Sequence, residues 1–144
     1  MNINPIILKL PYSAPFLFVD EITHIDDEGV TGNYRFPENS NFYPGHFKNN
    51  PVTPGVILTE CMAQIGVVCL GIYLLENVER EDKDLKIAMS STEIDFFLPV
   101  YPGEKVEVVS KKQYFRFNKL KCDVEMFNAE KKLVCKGKIA GMVF

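Results

Sequence analysis

Two side chains capable of acid–base chemistry lie fourteen residues apart in a stretch that is otherwise poor in charged residues. His46 lies in a Pro-Gly-His-Phe turn, and Glu60 lies inside a long apolar segment. Histidine titrates near neutral pH, and burial raises the pKa of a carboxyl group toward that range. The pair is therefore a candidate general base and general acid. A simpler interpretation stays open for each residue: an ordinary loop histidine, and a structural carboxylate paired with backbone or arginine.

Two neighbouring features would complete such a site. Gln64 follows Glu60 by four residues, so on a helix it shares the same face and can donate to or orient the carboxylate. Pro54-Gly55-Val56 opens the apolar segment, and the first N–H groups of a helix lack intrahelical partners. An N–H of Gly55 or Val56 could hold a carbonyl oxygen as negative charge grows on it. These parts suit removal of an α-proton beside a thioester with loss of a β-hydroxyl.

The segment that carries Glu60 is predicted to be one long helix. Thr53 is a favourable N-cap, Pro54 suits the first helical position, and residues 56–75 are almost wholly apolar. At about 1.5 Å per residue the helix is long enough to span a bilayer. We reject a membrane span because Glu60 would cost about 2–3 kcal/mol at depth. The rest of the chain also predicts strands that need a core to cover.

The other elements are predicted from alternation and turn residues. Before the helix we expect two strands around an acidic turn, at 15–25 and 30–36, and then a loop with a short helical turn at 37–53. After the helix we expect a charged exposed connection at 77–84 and then four strands, at 85–96, 104–117, 120–127 and 132–144. Hairpin turns are predicted at 117–119 and 128–131. Between 120 and 127 apolar and charged residues alternate, which indicates one buried and one solvated sheet face.

We therefore predict an α+β fold, with one long buried central helix wrapped by a curved, mainly antiparallel sheet of five to six strands. Residues 1–144 are expected to form a single domain. A sheet of this size does not surround so long a helix, so the uncovered side is expected to face a second subunit.

Composition limits the function classes. The net charge is -3, but residues 1–100 carry 6 basic and 14 acidic residues (-8), whereas residues 101–144 carry 10 and 5 (+5). The basic part could meet an acidic partner or simply be a solvated strand surface. The four cysteines form no CxxC pair and only two histidines exist, so we expect no metal site, free buried thiols and a reducing cytoplasm. The start of the chain lacks the basic residues of a signal peptide. We expect neither nucleic acid nor a membrane as a partner.

Three motifs resemble the FabZ-type (3R)-hydroxyacyl-acyl carrier protein dehydratases of hot-dog fold. The family pattern is approximately PFLLVD, then GHFPGxPxxPGVLxxEAMAQ, then FxxPVxPGD. This chain has PFLFVD at 15–20, GHFKNNPVTPGVILTECMAQ at 45–64 and FFLPVYPGE at 96–104. The motifs occur in the same order and cover nearly the whole chain.

The resemblance implies a role for each candidate residue. His46 matches the catalytic histidine, Glu60 the catalytic glutamate contributed by the partner subunit, and Gln64 the glutamine that steadies it. Gly55 or Val56 matches the backbone N–H that polarises the thioester. The implied reaction is dehydration of (3R)-hydroxyacyl-acyl carrier protein to the trans-2-enoyl thioester, in fatty acid or related lipid or polyene biosynthesis. Candidates for an apolar acyl tunnel, each equally credible as core, are Phe16, Phe47, Phe96 and Phe97.

The resemblance also implies partners. It implies acyl carrier protein bearing the hydroxyacyl chain, and a homodimer with shared active sites or a trimer of such dimers. The phosphopantetheine arm arrives on the carrier protein, so no cofactor of this protein is implied. Alternatives are a hot-dog acyl thioesterase, a dehydratase that also isomerises the double bond, and a non-catalytic subunit of a hetero-oligomeric dehydratase.

Three departures from the family pattern affect the expected carrier-protein surface. Lys48-Asn49-Asn50 replaces a Pro-Gly turn, Tyr12 falls where a His-Arg pair is usual, and Leu98 replaces a basic residue. Basic residues near the tunnel mouth typically help to dock the acidic carrier protein. The cations that could compensate are Lys48, Lys111, Lys112, Arg116, Lys119 and Lys121.

Overall fold

A computed structural model describes residues 5–76 and 86–144, which contain two helices and six strands. In chain order these are α1 (Pro5–Leu8), β1 (Glu21–Asp26), β2 (Gly29–Arg35), α2 (Gly55–Leu75), β3 (Ile87–Phe96), β4 (Lys105–Arg116), β5 (Lys119–Phe127) and β6 (Leu133–Val143). A short 3₁₀ turn, Tyr43–Gly45, lies in the predicted loop. The predicted connection at 77–84 lies outside the described residues, as does residue 85 of the predicted strand 85–96.

The strands form one antiparallel sheet in the order β1-β2-β4-β5-β6-β3. The alternation predicted for β5 is confirmed: Leu120, Cys122, Val124 and Met126 are buried against the helix. The predicted β4–β5 hairpin turn is also confirmed, and its two tip residues, Phe117 and Asn118, both have positive φ. The architecture is the predicted α+β hot-dog fold, with strands β1 and β3 at the two edges of the sheet.

Helix α2 lies in the concavity of this sheet. It is α-helical over Gly55–Ala63, π-helical over Gln64–Cys69 and α-helical again over Leu70–Leu75. In the π-helical part the Ser110 hydroxyl donates to the Gly66 carbonyl at 2.8 Å, and a Cβ on Gly66 would lie 3.1 Å from Ser110 Cβ. Although α2 is apolar and long enough to cross a membrane, 72% of its most apolar 18-residue stretch is buried inside the fold. Its apolar surface therefore packs against the sheet of the same chain.

Two local predictions are wrong, and both errors have a tertiary cause. The strand predicted at 15–25 begins only at Glu21, because backbone groups of Phe16 and Phe18 bond the Gln64 side chain instead of a neighbouring strand. Thr53 does not cap α2. Pro54 occupies the N-cap position without a side-chain cap, and the Thr53 hydroxyl instead bonds the Tyr43 hydroxyl at 2.6 Å.

The cysteines are buried free thiols, as predicted. Burial raises the pKa of Cys69 and Cys135 to about 12 and of Cys122 to about 11, and it also raises the pKa of Cys61. A thiol with a raised pKa is a poor nucleophile at neutral pH. The cysteines therefore serve as small core residues.

Candidate active site

His46 is held in one tautomer by the loop that carries it. Its Nδ1 lies 2.8 Å from the Val52 carbonyl oxygen, and the Val52 N–H donates back to the His46 carbonyl at 2.7 Å. Because a carbonyl only accepts, Nδ1 must carry the proton of the neutral ring. The Nε2 lone pair is then available as a base. The ring is half-buried and stacks on Phe47, with centroids 4.1 Å apart.

The residues that replace the Pro-Gly pair still form a tight turn. The N–H and carbonyl of Phe47 bond the carbonyl and N–H of Asn50, at 3.0 and 3.1 Å. Asn49 adopts φ of 60° at the position where the family pattern has glycine. Asparagine tolerates this left-handed conformation better than other side chains do. The turn after His46 is thus retained with different residues.

We expect Asn49→Ala to lower the free energy of unfolding by about 1 kcal/mol and Asn49→Gly to leave it nearly unchanged. Alanine has neither glycine's freedom nor asparagine's local hydrogen bonding at positive φ. Urea denaturation of both variants measures the difference. Equal stability of the two variants would show that the left-handed conformation at residue 49 does not limit stability.

The start of α2 presents unpartnered backbone donors. Pro54 accepts from the N–H groups of Ile57 and Leu58, but within residues 5–76 and 86–144 no acceptor takes the N–H of Gly55 or Val56. The Thr53 N–H donates to Val100 at 2.8 Å and fixes the helix start to the loop after β3. The N–H groups of Gly55 and Val56 can donate hydrogen bonds to a developing oxyanion.

Two of the tunnel candidates lie at this helix start. Phe96 packs on Gly55, where an added Cβ would lie 3.2 Å from the ring. Phe96 and Phe97 line a cavity of about 290 Å³ together with Gly55 and Leu58. The space that a side chain at residue 55 would need is therefore taken by the Phe96 ring of the same chain.

Glu60 is held by Gln64, which is completely buried. The Gln64 Nε2 group donates to Glu60 Oε2 and to the Phe16 carbonyl, each at 3.0 Å. Gln64 Oε1 accepts from the Phe18 N–H at 2.8 Å. A side-chain amide with three partners has a fixed rotamer and orientation. Gln64 thus fixes one carboxylate oxygen of Glu60 and leaves the other free.

Burial is the main influence on the Glu60 carboxyl. It raises the pKa of Glu60, and the hydrogen bond from Gln64 opposes this by favouring the carboxylate. The net direction is upward, so the protonated acid persists to higher pH than for a carboxyl in water. This is the direction that a general acid requires.

His46 and Glu60 are not joined within the chain. The described residues contain no hydrogen bond or ion pair between them. Glu60 borders a small cavity of about 20 Å³ between α2 and β3, and His46 does not line it. The remaining two tunnel candidates lie beside different site residues. Phe47 stacks on His46, whereas the ring of Phe16 packs near Gln64, with its centroid 5.1 Å from that of Phe18.

Several partners of these residues were not predicted from the sequence. The Val52 carbonyl and the backbone of Phe16 and Phe18 act through main-chain atoms, which no residue type signals. Tyr12 also lines the Glu60 cavity, although the sequence marks it only as a departure from a motif. Its unusual identity at that position was the available signal.

Comparison with known proteins gives a consistent set of relatives. The FabA-like domain family matches residues 10–141. The 3-hydroxyacyl-[acyl-carrier-protein] dehydratase FabZ of Ehrlichia ruminantium (strain Gardel) is 36% identical over 118 residues, which is 78% of this chain and 79% of that protein. The enzyme of the same name from Nitratidesulfovibrio vulgaris is 34% identical over 110 residues, 75% of this chain and 69% of that protein.

Solved structures share the fold at low identity. The dehydratase heterocomplex ApeI:P from Xenorhabdus doucetiae has a chain with TM-score 0.80 and 13% identity, covering 98% of this chain and 91% of that chain. A hypothetical thioesterase with coenzyme A from Streptococcus pneumoniae TIGR4 has TM-score 0.62 and 17% identity, covering 86% of this chain and 84% of that chain. At these identities the likeness concerns the fold alone.

Proposed function

Since the chain belongs to the FabA-like family and is a FabZ-type hot-dog protein, we propose that it dehydrates 3-hydroxyacyl-acyl carrier protein to the trans-2-enoyl thioester. The observation that carries the proposal is the Gln64-held Glu60 carboxyl, half-buried and with a raised pKa. Departure of a hydroxyl group needs a proton donor, and a raised pKa keeps the Glu60 carboxyl protonated to higher pH than a carboxyl in water.

In the proposed reaction His46 is the base. Its Nε2 removes the proton from the α-carbon, and the electron pair of that C–H bond forms the Cα–Cβ double bond. The Cβ–O bond breaks as Glu60 delivers its proton, from the oxygen that Gln64 leaves free, to the departing hydroxyl. The hydroxyl leaves as water. Proton exchange then restores neutral His46 and protonated Glu60.

The N–H groups of Gly55 and Val56 are proposed to hold the thioester oxygen during α-proton removal. Negative charge develops on that oxygen, and unpartnered N–H groups at the positive end of a helix stabilise it without reorganisation. This step and the two proton transfers are carried by protein groups, so the proposed mechanism uses no metal or redox cofactor.

We propose that two copies of the chain assemble each site, with His46 from one and Glu60 from the other. Within the described residues of one chain, no hydrogen bond or ion pair joins the two side chains, which supports this. Edge strand β3 supports it too, because all of its residues except Ile87 and Ile94 are exposed. Met89, Phe96 and Phe97 present apolar surface along and just beyond that edge, which a second copy would cover.

We propose that the partner is the acidic acyl carrier protein and that the protein is cytoplasmic. Of the six cations considered above, Lys48 supports docking best, because it is exposed in the turn that follows His46. The other five lie on β4 and β5 toward the hairpin at 117–118, whereas Gly55 and Phe96 lie at the opposite end of the sheet. Lys111 also lies opposite Asp123, which offsets its charge.

Product analysis tests the proposed function. We expect the purified protein to convert a (3R)-hydroxyacyl-carrier protein into the trans-2-enoyl form with loss of one water. A saturated acyl thioester should release no free thiol, and the enoyl product should not move to a cis-3 isomer. Rapid thiol release would instead assign a thioesterase, and the cis-3 product a dehydratase that also isomerises.

A further inference from the structure

The small cavity beside Glu60 is apolar apart from two side chains. Its helix wall includes Ala63 and Val67, which share a face of α2 with Glu60, and Met89 contributes from edge strand β3. Among the described residues that line it, the polar side chains are those of Glu60 and Tyr12. The cavity volume is about 20 Å³, which is room for about one water molecule and too little for a hydrocarbon chain.

An acyl chain has to pass close to this position if the proposed function holds. Glu60 would protonate the hydroxyl on the β-carbon, so the next carbons of the substrate begin within a few bonds of the Glu60 carboxyl. An apolar wall beside the proton donor is the surface that those carbons would contact. The volume beside Glu60 therefore limits which chain can be accommodated.

Most of that wall is fixed. Ala63 and Val67 are 5% and 2% exposed, and a Cβ added to Gly141 on β6 would lie 2.8 Å from Ile87 and 3.0 Å from Val67. Close packing of this kind leaves the helix and strand walls no room to retreat without cost. An enlargement of the cavity must come from another side.

Tyr12 forms the one wall of the cavity, among the described residues, that belongs to no helix or strand. It lies before β1 in a segment outside the helices and strands, and its ring is half-buried with its centroid 6.3 Å from that of Phe16. Its hydroxyl has no hydrogen-bond partner within the described part of the chain, and burial, together with the nearby Glu60 carboxylate, raises its pKa to about 12. A large ring held by packing alone therefore occupies the space next to Glu60.

We propose that Tyr12 determines acyl-chain length: its ring fills the space beside Glu60 that a longer chain would need, so the protein favours short-chain hydroxyacyl thioesters. This inference rests on the proposed function. Tyr12 acts on specificity through volume and takes no part in proton transfer.

The test compares kcat/KM for four-carbon and ten-carbon hydroxyacyl-carrier proteins. In Tyr12→Ala the ratio of ten-carbon to four-carbon kcat/KM should rise by at least ~10-fold, since a change of even one methylene in an apolar pocket has effects of that size. Tyr12→Phe keeps the ring and should keep the native ratio. Phe117→Ala, an aromatic truncation at the exposed tip of the β4–β5 hairpin, is the matched control and should also keep it.

An unchanged ratio in a folded Tyr12→Ala variant would overturn the inference while leaving the dehydratase assignment intact. If Tyr12→Ala does not fold, Tyr12→Leu should show the same shift at smaller size, and its failure to do so would count equally against the inference. A shift in Tyr12→Phe as large as in Tyr12→Ala would show that the hydroxyl, not the ring volume, is responsible. Native protein that turns over neither substrate would overturn the proposed function itself.

Discussion

His46→Ala and Glu60→Gln are each expected to lower kcat/KM for dehydration by roughly 10²–10⁴-fold. Alanine removes the nitrogen that takes the α-proton. Glutamine keeps the shape of Glu60 and can still accept from Gln64, but it has no proton of suitable acidity to give to the departing hydroxyl. The measurement is the rate of enoyl thioester formation by purified variants whose folding is verified by circular dichroism.

The second histidine of the chain supplies the control. His24 is exposed on β1 and bonds Asp26 at 2.9 Å, so His24→Ala should retain native turnover. Near-native turnover by Glu60→Gln would exclude Glu60 as the acid. A loss of activity in His24→Ala equal to that in His46→Ala would show that the assay responds to something other than the proposed base.

Gln64→Met is expected to have the largest effect on stability, lowering the free energy of unfolding by roughly 2–5 kcal/mol. Methionine fills similar volume but leaves the buried Phe18 N–H and the partly buried Phe16 carbonyl without their partner. It also removes the hydrogen bond that favours the Glu60 carboxylate, so the pKa of Glu60 rises further. Because the proposed acid must be protonated, the alkaline limb of the pH profile of kcat/KM should move to higher pH.

Ser110→Ala distinguishes the loss of stability expected for Gln64→Met from the expected change in the Glu60 pKa. The Ser110 hydroxyl is also buried and bonds α2, at the Gly66 carbonyl, but it does not contact Glu60. Its loss should cost about 1 kcal/mol of stability and leave the alkaline limb in place. Equal movement of the limb in both variants would mean that general destabilisation, not the Glu60 hydrogen bond, controls the pH profile. Urea denaturation and pH–rate profiles provide both readouts.

Much of the fold was predictable because the strongest signals are local. Alternation in β5 depends on one face of a sheet being dry, and a helix without a polar face, such as α2, must be buried in protein or lipid. Glu60 and the strand-forming remainder of the chain decided between those two cases. The retained turn at Asn49 was not predicted, since the sequence showed only that Pro and Gly are missing, not that asparagine adopts the required φ.

The wrong predictions concern residues whose partners are distant in sequence. Thr53 has the composition of a helix cap, but the Tyr43 hydroxyl takes its side chain. Residues 15–20 have the composition of a strand, but Gln64 takes two of their backbone groups, forty-six and forty-eight residues away. Likewise, the spacing of His46 and Glu60 is visible in the sequence, whereas only the coordinates show that no hydrogen bond or ion pair joins them among the described residues of one chain. Such contacts depend on how the elements pack.

Subunit mixing tests the central claim most directly. His46→Ala and Glu60→Gln should each be nearly inactive, but after subunit exchange about half of the dimers hold one copy of each, with one intact site of two. Activity should therefore recover to about a quarter of the native value. No recovery, in a mixture whose exchange is demonstrated by mass spectrometry of the mixed dimer, would contradict a site built from His46 of one chain and Glu60 of the other.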